Sequence, residues 1–322
     1  MKRILTFSVI LLMFASKSFG EQLPKITFTP HWLPQAQFAG YYVAEKMGFY
    51  AEEGIDVNIV HPSASTNAIE LLASGESDII SLFLITAINA KQQGPDIVNI
   101  AQMSQNSALM FISKKEKQIN KLSDLNKKKI SVWESGFGEV GEEMVRSNNL
   151  TVEWVPILSS INMFLVGGID AMTAMSFNEY YQIINSGLNE DELNIFSFAD
   201  YGYNIPEDGL YCQNKTRLSK ENELRKFVKA TLKGWEYAKE HKTEALDIVL
   251  EIMKKEHIAT NRSHQSWMLN KVLELIEPGS KNVKKGELSE PDFYKTQSIL
   301  INGKYVENKI DFNDFYKPIS GN

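Results

Sequence analysis

The sequence predicts an α/β protein with two lobes, each built on a mostly parallel sheet flanked by helices. Short apolar strand-like runs alternate with helix-like segments over roughly the first 200 residues, an order typical of parallel sheets covered by helices. The alternation starts again near residue 130, after a lysine-rich connector at 114–129. About 300 residues beyond the N-terminal segment are enough for two lobes with separate cores.

The first 20 residues are expected to be a signal peptide that is cleaved after Gly20. Lys2 and Arg3 form a basic start, the run 4–15 is apolar but too short to span a bilayer, and small residues lie at 18–20. No cysteine lies directly after the apolar run, so no lipid attachment is expected there. The mature protein is therefore expected in the periplasm.

Composition excludes several classes of protein. A single cysteine, Cys212, rules out an internal disulfide. The net charge of −6 and the absence of a basic cluster with interleaved aromatic residues argue against nucleic acid as a partner. No metal is expected, because the five histidines have neither His-x-x-x-His spacing nor a cysteine at zinc spacing. The motifs of serine hydrolases, P-loop NTPases and kinases are also missing.

The elements of the first lobe follow from apolar periodicity and helix-end signals. Its predicted strands cover 26–29, 55–59, 78–82 and 97–101, and its predicted helices cover 37–47, 68–73 and 85–92. Asn67 and Glu70 have the spacing of a capping box at the start of the second helix, and Gly75 suits its end.

The chain is predicted to cross into the second lobe near 107–114 and to repeat the same pattern there. The predicted strands cover 109–113, 130–133, 152–155 and 171–175, and helices begin near Glu139 and Ser160. The run 209–212 is predicted to be a return strand, and three amphipathic helices after it are predicted to pack on the first lobe. The expected lobes are therefore 21–110 with 214–322, and 111–213.

The segment 30–42 is the strongest candidate for a ligand site. Open α/β sheets bind ligands beyond the carboxyl ends of their strands, and the loop after 26–29 lies at such an end. Trp32 stands between two loop prolines, which favours ligand contact over burial. Ordinary core packing stays the alternative for this residue and for Tyr41 and Tyr42.

The charge of the predicted cleft loops favours a neutral or amine-bearing ligand. These loops contain Glu134, Glu139 and Glu179 but no lysine or arginine; they are 30–42, 61–67, 81–90, 133–143 and 176–182. Binders of sulfonate, nitrate or phosphate usually place an arginine or a bare helix N-terminus there. An aromatic, mildly acidic cleft suits a flat nitrogen heterocycle stacked on Trp32 and hydrogen-bonded to a carboxylate.

The glycine-rich turn at 134–138 has two possible interpretations. Its backbone N–H groups and the following helix could hold an oxyanion, although Glu134, Glu139, Glu142 and Glu143 crowd the same turn. Alternatively, the turn contains glycine only because it is tight.

Six short motifs are spread along the chain: WLP at 32–34, GYYVA at 40–44, KMGFYAEEGIDV at 46–57, LASGESD at 72–78, LSDL at 122–125 and GIDA at 168–171. Together they closely resemble type II periplasmic binding proteins of the thiamine-pyrimidine synthase and alkanesulfonate-binding superfamily, over most of 25–240. The resemblance implies the type II periplasmic-binding-protein fold, with two hinged lobes closing on a small molecule. It also implies a monomer without cofactor that delivers its ligand to an inner-membrane ABC permease.

Within that superfamily the chain is most similar to the branch that handles the aminopyrimidine precursor of thiamine. The resemblance implies that Trp32 stacks on the pyrimidine and that the turn at 134–138 faces the ligand. It also implies an acidic residue at the aminopyrimidine edge, either Glu179 or a position occupied by Ser176. The expected ligand-binding residues are Trp32, Tyr41, Ser65, Thr66, Thr86, Gly136, Phe137, Gly138 and Glu179.

The eukaryotic enzymes of this superfamily form the pyrimidine from a lysine-bound pyridoxal phosphate and one of their own histidines. The positions matched to that lysine and histidine hold Leu82 and Thr86 here, so the resemblance implies a binding protein and not an enzyme. Three alternatives stay open: a pyrimidine-synthase-type enzyme, a binding protein for alkanesulfonate, taurine or nitrate, and a ligand-sensing partner of a membrane signalling protein.

Overall fold

The computed structural model describes residues 23–319 except Ala64, 134–136 and Ser280, so the predicted signal peptide lies outside the described residues. The strands are β1 (Lys25–Thr29), β2 (Asp56–Ile59), β3 (Ile79–Phe83), β4 (Ile97–Gln102), β5 (Leu109–Lys114), β6 (Lys129–Trp133), β7 (Glu153–Ile157), β8 (Ala171–Met175), β9 (Leu193–Ser197) and β10 (Asp208–Gln213).

The helices flank these strands and dominate the C-terminal third. They are α1 (Ala39–Lys46), α2 (Phe49–Glu52), α3 (Ala68–Ser74), α4 (Leu84–Gln93), α5 (Gly138–Ser147), α6 (Asn162–Leu165), α7 (Glu179–Asn185), α8 (Asn214–Ser219), α9 (Glu221–Glu240), α10 (Lys242–Lys255), α11 (Arg262–Ile276), α12 (Glu290–Asn302) and α13 (Phe312–Phe315). Among the described residues, no helix combines the length and the apolar character needed to cross a membrane.

The strands form two five-stranded sheets with equivalent strand orders, β2-β1-β3-β10-β4 and β7-β6-β8-β5-β9. In each sheet four strands run in one direction, and one strand, β10 or β5, runs antiparallel to both of its neighbours. The predicted two-lobed α/β architecture is confirmed, with sheets that are mixed and mostly parallel.

The chain passes between the sheets twice, through two hinge segments at 103–108 and 202–207. We call 23–102 with 208–319 the first lobe and 109–201 the second lobe. The predicted lobe boundaries at 111 and 213 are displaced, because β5 already starts at Leu109 and β10 inserts between β3 and β4 of the first sheet. The predicted return strand therefore exists but belongs to the first lobe.

Local signals in the sequence account for several of these elements. The Glu70 backbone N–H donates to Asn67 Oδ1 at 3.0 Å, and the Asn67 N–H donates to Glu70 Oε2 at 3.1 Å, so the predicted capping box of α3 is confirmed. Gly75 ends that helix with φ +84°, in the left-handed region that favours glycine. All five residues of β3 are buried, as expected for a strand covered on both faces.

The C-terminal helices clad the first lobe, as predicted. α9 crosses α1 so closely that a Cβ atom on Gly234 would lie 2.2 Å from the Gly40 carbonyl oxygen. Two helices reach the second lobe as well: α11 contacts α7, and α12 contacts α5. The sequence interpretation included α11 but not α12, and it did not foresee that either helix bridges the lobes.

Candidate functional site

A cavity of about 110 Å³ lies between the two lobes. The first lobe contributes His31, Trp32, Gln35, Gln37 and Phe83, and the second contributes Trp133, Phe137, Leu158, Ser159, Met175, Phe177, Asn178 and Glu179. These residues end, or closely follow, strands β1, β3, β6, β7 and β8. The cavity therefore occupies the position at which open α/β sheets bind ligands.

The loop that carries Trp32 is held through its backbone. The Trp32 carbonyl can only accept, so His61 Nδ1 is the donor in their 2.6 Å contact. The Tyr42 hydroxyl then donates to His61 Nε2 at 2.8 Å. Because these contacts use the carbonyl of Trp32, its indole stays 43% exposed and lines the cavity.

Aromatic rings from both lobes meet at the cavity. The Phe83 and Phe137 rings pack edge to face with centroids 4.0 Å apart, and Trp133 packs edge to face with Phe137 at 6.1 Å. Phe137 directly precedes α5 and has φ +70°, a region that non-glycine residues seldom adopt. Together with Trp32 and Phe177, these rings give the cavity apolar walls suited to a flat ligand.

Glu179 is the one acidic residue among the described residues that line the cavity, and it is only 4% exposed. Its Oε2 accepts from the Met175 backbone N–H at 2.9 Å, and its Oε1 accepts from Asn178 Nδ2 at 2.8 Å. Burial raises the pKa of the carboxyl, and the hydrogen bond from Met175 opposes that rise. When protonated, such a carboxyl can both donate and accept, which matches an amino group beside a ring nitrogen.

His31 and two glutamines add neutral polar groups. Burial, followed by repulsion from His61, lowers the pKa of His31 to about 3, so its 3.7 Å approach to Asp208 at neutral pH is not an ion pair. Gln37 Nε2 donates to Asp208 Oδ2 at 2.9 Å, and Gln35 Nε2 donates to Gln37 Oε1 at 2.6 Å. Burial raises the pKa of Asp208 to about 7.

The described residues around the cavity provide neither a cationic side chain nor a metal centre. The described lining contains no lysine or arginine. Across the described ranges, no group of three or more histidine, cysteine, aspartate or glutamate side chains is arranged to hold a metal ion. The described lining therefore offers aromatic faces, neutral hydrogen-bonding groups and one carboxyl group.

Three of the predicted ligand-binding residues, Trp32, Phe137 and Glu179, lie together at this cavity. Gly136, also predicted, falls outside the described residues. The alternative position, Ser176, does not line the cavity; its carbonyl accepts from Trp267 Nε1 at 2.9 Å.

The structure places the other predicted residues elsewhere. Tyr41 is 2% exposed and packs in the core between Phe28 and Trp235, with centroid distances of 4.6 and 5.8 Å, because its face of α1 is turned to the sheet and α9. The remaining predicted residues are held in local structure: Ser65 and Thr66 in a surface turn bonded to the Ser63 hydroxyl, Thr86 within α4, and Gly138 buried against Val132.

Sequence reasoning missed several lining residues that had a usable signal. His31, Gln35 and Gln37 lie within the candidate segment 30–42, of which only aromatic residues were predicted to bind the ligand. Phe83 and Trp133 end their strands and could have been found from the rule that placed Trp32. Leu158 and Ser159 carried no signal.

Comparison with known proteins gives one family match. The family model described as NMT1/THI5 like matches residues 35–245. The formylaminopyrimidine-binding protein of Halalkalibacterium halodurans is 25% identical, over 85% of this chain and 86% of that protein. The riboflavin-binding protein RibY of Chloroflexus aurantiacus is 24% identical, over 72% of this chain and 67% of its own.

The relatives also include enzymes. The 4-amino-5-hydroxymethyl-2-methylpyrimidine phosphate synthase THI11 of Saccharomyces cerevisiae is 25% identical, over 66% of each chain. Among solved structures, the periplasmic aliphatic sulphonate binding protein SsuA of Escherichia coli superposes with a TM-score of 0.72 over 92% of this chain and 93% of that chain, at 12% identity. At that identity the likeness concerns the fold alone.

Proposed function

Since the chain belongs to the NMT1/THI5-like family, we propose that it is the periplasmic solute-binding protein of an ABC importer and that it captures an aminopyrimidine of the thiamine-precursor type. Its two lobes close on the ligand, and its partner is an inner-membrane ABC permease. The observation that carries the proposal is the buried Glu179 carboxyl in an aromatic cavity between the lobes, whose described lining has no lysine or arginine.

The size of the cavity supports a single ring. A cavity of about 110 Å³ is close in size to the engineered protein cavity of about 150 Å³ that binds benzene, and it is too small to enclose a fused tricyclic flavin. The formylaminopyrimidine-binding relative is consistent with this choice. The riboflavin-binding relative is the reason to include a flavin in the test.

The chemistry of the lining supports an uncharged or amine-bearing ligand over an oxyanion. Sulfonate and nitrate are usually recognised by arginine, and the described lining has none. It instead offers Glu179, whose charge would repel an anion when ionised.

We further propose binding without chemical change. The positions matched to the synthase lysine and histidine hold Leu82, which is buried in β3, and Thr86, which lies in α4 outside the cavity lining. Neither residue has an amine that could form a Schiff base with pyridoxal phosphate.

Calorimetric titration with a matched panel tests the proposal. The panel contains 4-amino-5-hydroxymethyl-2-methylpyrimidine, the same ring with hydrogen in place of the amino group, riboflavin and taurine. We expect one binding site, with the aminopyrimidine bound more tightly than the other three. Tighter binding of taurine or riboflavin would show that this compound, and not the aminopyrimidine, represents the ligand class. If none of the four compounds bound, the aminopyrimidine assignment would be wrong.

A further inference from the structure

Helix α11 contacts both walls of the cavity. Near its start, Gln265 Oε1 accepts from the backbone N–H of Ala36, which begins a short 3-10 helix directly after the loop that carries Trp32. Two residues later, Trp267 Nε1 donates to the Ser176 carbonyl of the second lobe at 2.9 Å. One rigid element of the first lobe therefore holds backbone from each side of the cleft.

The contact of Trp267 with the second lobe is aromatic as well as polar. Its indole stacks on Tyr181 with centroids 5.1 Å apart and packs against Tyr180 at 5.9 Å, both in α7. His264, also in α11, stacks on Tyr181 at 5.6 Å. The ring contacts orient the indole, and its N–H hydrogen bond determines which backbone carbonyl of the second lobe it contacts.

Ser176 is close in sequence to the acid of the site. Phe177, Asn178 and Glu179 follow it directly, and all three line the cavity. The Glu179 carboxyl is itself bonded to the Met175 N–H, one residue before Ser176. Trp267 therefore donates its hydrogen bond to the short segment 175–179, which holds the Glu179 carboxyl in place.

We propose that Trp267 is a positioning residue that, through its bond to Ser176, fixes the Glu179 carboxyl for recognition of the ligand's amino group. The ligand part of this inference rests on the proposed function. The positioning part concerns the backbone of 175–179 and holds for any ligand of the cavity.

The test variant is Trp267→Phe, which keeps an aromatic ring against Tyr180 and Tyr181 and removes the N–H donor together with one ring of the indole. The matched control is Trp154→Phe in β7, because Trp154 is a partly buried tryptophan of the second lobe that packs near Phe111 and does not line the cavity. Melting temperatures of both variants establish that each is folded.

The first readout is amide hydrogen exchange of ligand-free protein in peptides that cover 175–179. We expect exchange there to be about five times faster in Trp267→Phe, the effect of losing one hydrogen bond, and unchanged in Trp154→Phe. Unaltered exchange in Trp267→Phe would overturn the positioning role. A rise of the same size in peptides from β3 and β4 would overturn it too, because the change would then be global.

The second readout is the ratio of affinities for the aminopyrimidine and for the ring without the amino group. We expect Trp267→Phe to reduce this ratio about fivefold and Trp154→Phe to preserve it. An unchanged ratio in Trp267→Phe would overturn the link to recognition of the amino group. If wild-type protein shows no preference between the two rings, the proposed function fails, while the exchange experiment still decides whether Trp267 positions 175–179.

Discussion

At the scale of single residues, Trp32 and its neighbour offer a controlled comparison. Trp32 is 43% exposed and Leu33 is 44% exposed, but only Trp32 lines the cavity. We predict that Trp32→Ala weakens ligand binding by roughly 1 to 3 kcal/mol through lost stacking and apolar contact, whereas Leu33→Ala changes it by less than about 0.5 kcal/mol. Calorimetric titration measures both, and equal losses in the two variants would contradict a specific role for Trp32.

Glu179→Gln tests the carboxyl without changing its size. The amide oxygen of glutamine can still accept from the Met175 N–H, but the amide nitrogen then replaces Oε1, so that position can no longer accept from the amino group of the ligand. We predict that affinity for the aminopyrimidine falls by roughly 1.5 to 3 kcal/mol while affinity for the ring without the amino group stays near wild type. The control is Glu153→Gln, an exposed acid in β7. Equal losses of affinity for both rings would show that Glu179 does not recognise the amino group.

The site residues differ in how far the sequence could identify them. Trp32 could be singled out because it stands between two loop prolines, whereas Glu179 followed from the resemblance, which implies an acidic residue after the strand that forms β8. Tyr41 was misplaced because periodicity shows that a helix has an apolar face but not whether that face meets a cleft or a core. Trp267 lies 91 residues along the chain from its partner Ser176, and no local sequence pattern predicts such a contact.

At the scale of elements, the start of α5 shows why Gly138 is a glycine. A Cβ atom there would lie 2.6 Å from Val132 Cγ2, and valine is too stiff at χ1 to move aside easily. The need for glycine is therefore steric. Phe137, the residue before it, lines the cavity, so displacement of the helix start would also move that ring.

We predict that Gly138→Ala lowers the free energy of unfolding by about 1 to 3 kcal/mol through overpacking and also weakens ligand binding. Val132→Ala removes the clashing methyl group, so the double variant should lose less than the sum of the two single variants. Urea unfolding and titration measure the two effects. Additive losses would show that Gly138 and Val132 do not constrain each other.

The elements themselves were mostly predictable, because strand alternation, caps and helical periodicity are local signals. Nine of the ten strands of the described residues were predicted from the repeated pattern. Strand β9 and helix α12 were missed, since β9 is only partly buried and α12 gains its partners α4 and α5 from distant parts of the chain. The predicted lobe boundaries also differ from the observed ones because of distant contacts. Pairing with β3 and β4 places β10 in the first lobe.

At the scale of the whole molecule, a buried carboxyl ties the two hinge segments together. Glu207 Oε1 accepts from the Ala108 N–H at 2.6 Å and from the Ser107 hydroxyl at 2.8 Å. Asn204 Oδ1 also accepts from the Ser107 N–H at 2.9 Å. Burial raises the pKa of Glu207 to about 8, against the opposing effect of the Ala108 N–H.

This raised pKa makes stability depend on pH with a definite sign. Between the ordinary pKa of glutamate and about 8, the unfolded chain releases a proton that the folded protein retains, so stability falls as pH rises, by up to about 1.4 kcal/mol per pH unit for this group. Asp208, whose pKa is raised to about 7, adds to this loss of stability mainly below pH 7.

We therefore predict that the free energy of unfolding of wild-type protein declines from pH 7 to 8 and that Glu207→Gln declines less over the same interval. Glutamine keeps an oxygen that can accept from Ala108 and Ser107, so the hinge contacts are retained. Urea unfolding at closely spaced pH values measures the slope, with Glu153→Gln as the control. Parallel slopes for wild type and Glu207→Gln would contradict a buried, protonated Glu207.

The central claim, that the two lobes hold one intact aminopyrimidine, is tested most directly by native mass spectrometry of the protein equilibrated with the four-compound panel. We predict a single adduct with the mass of the unmodified aminopyrimidine, released unchanged on denaturation and much reduced in Trp32→Ala. An adduct of taurine or riboflavin in its place, or an aminopyrimidine recovered with an altered mass, would contradict the account.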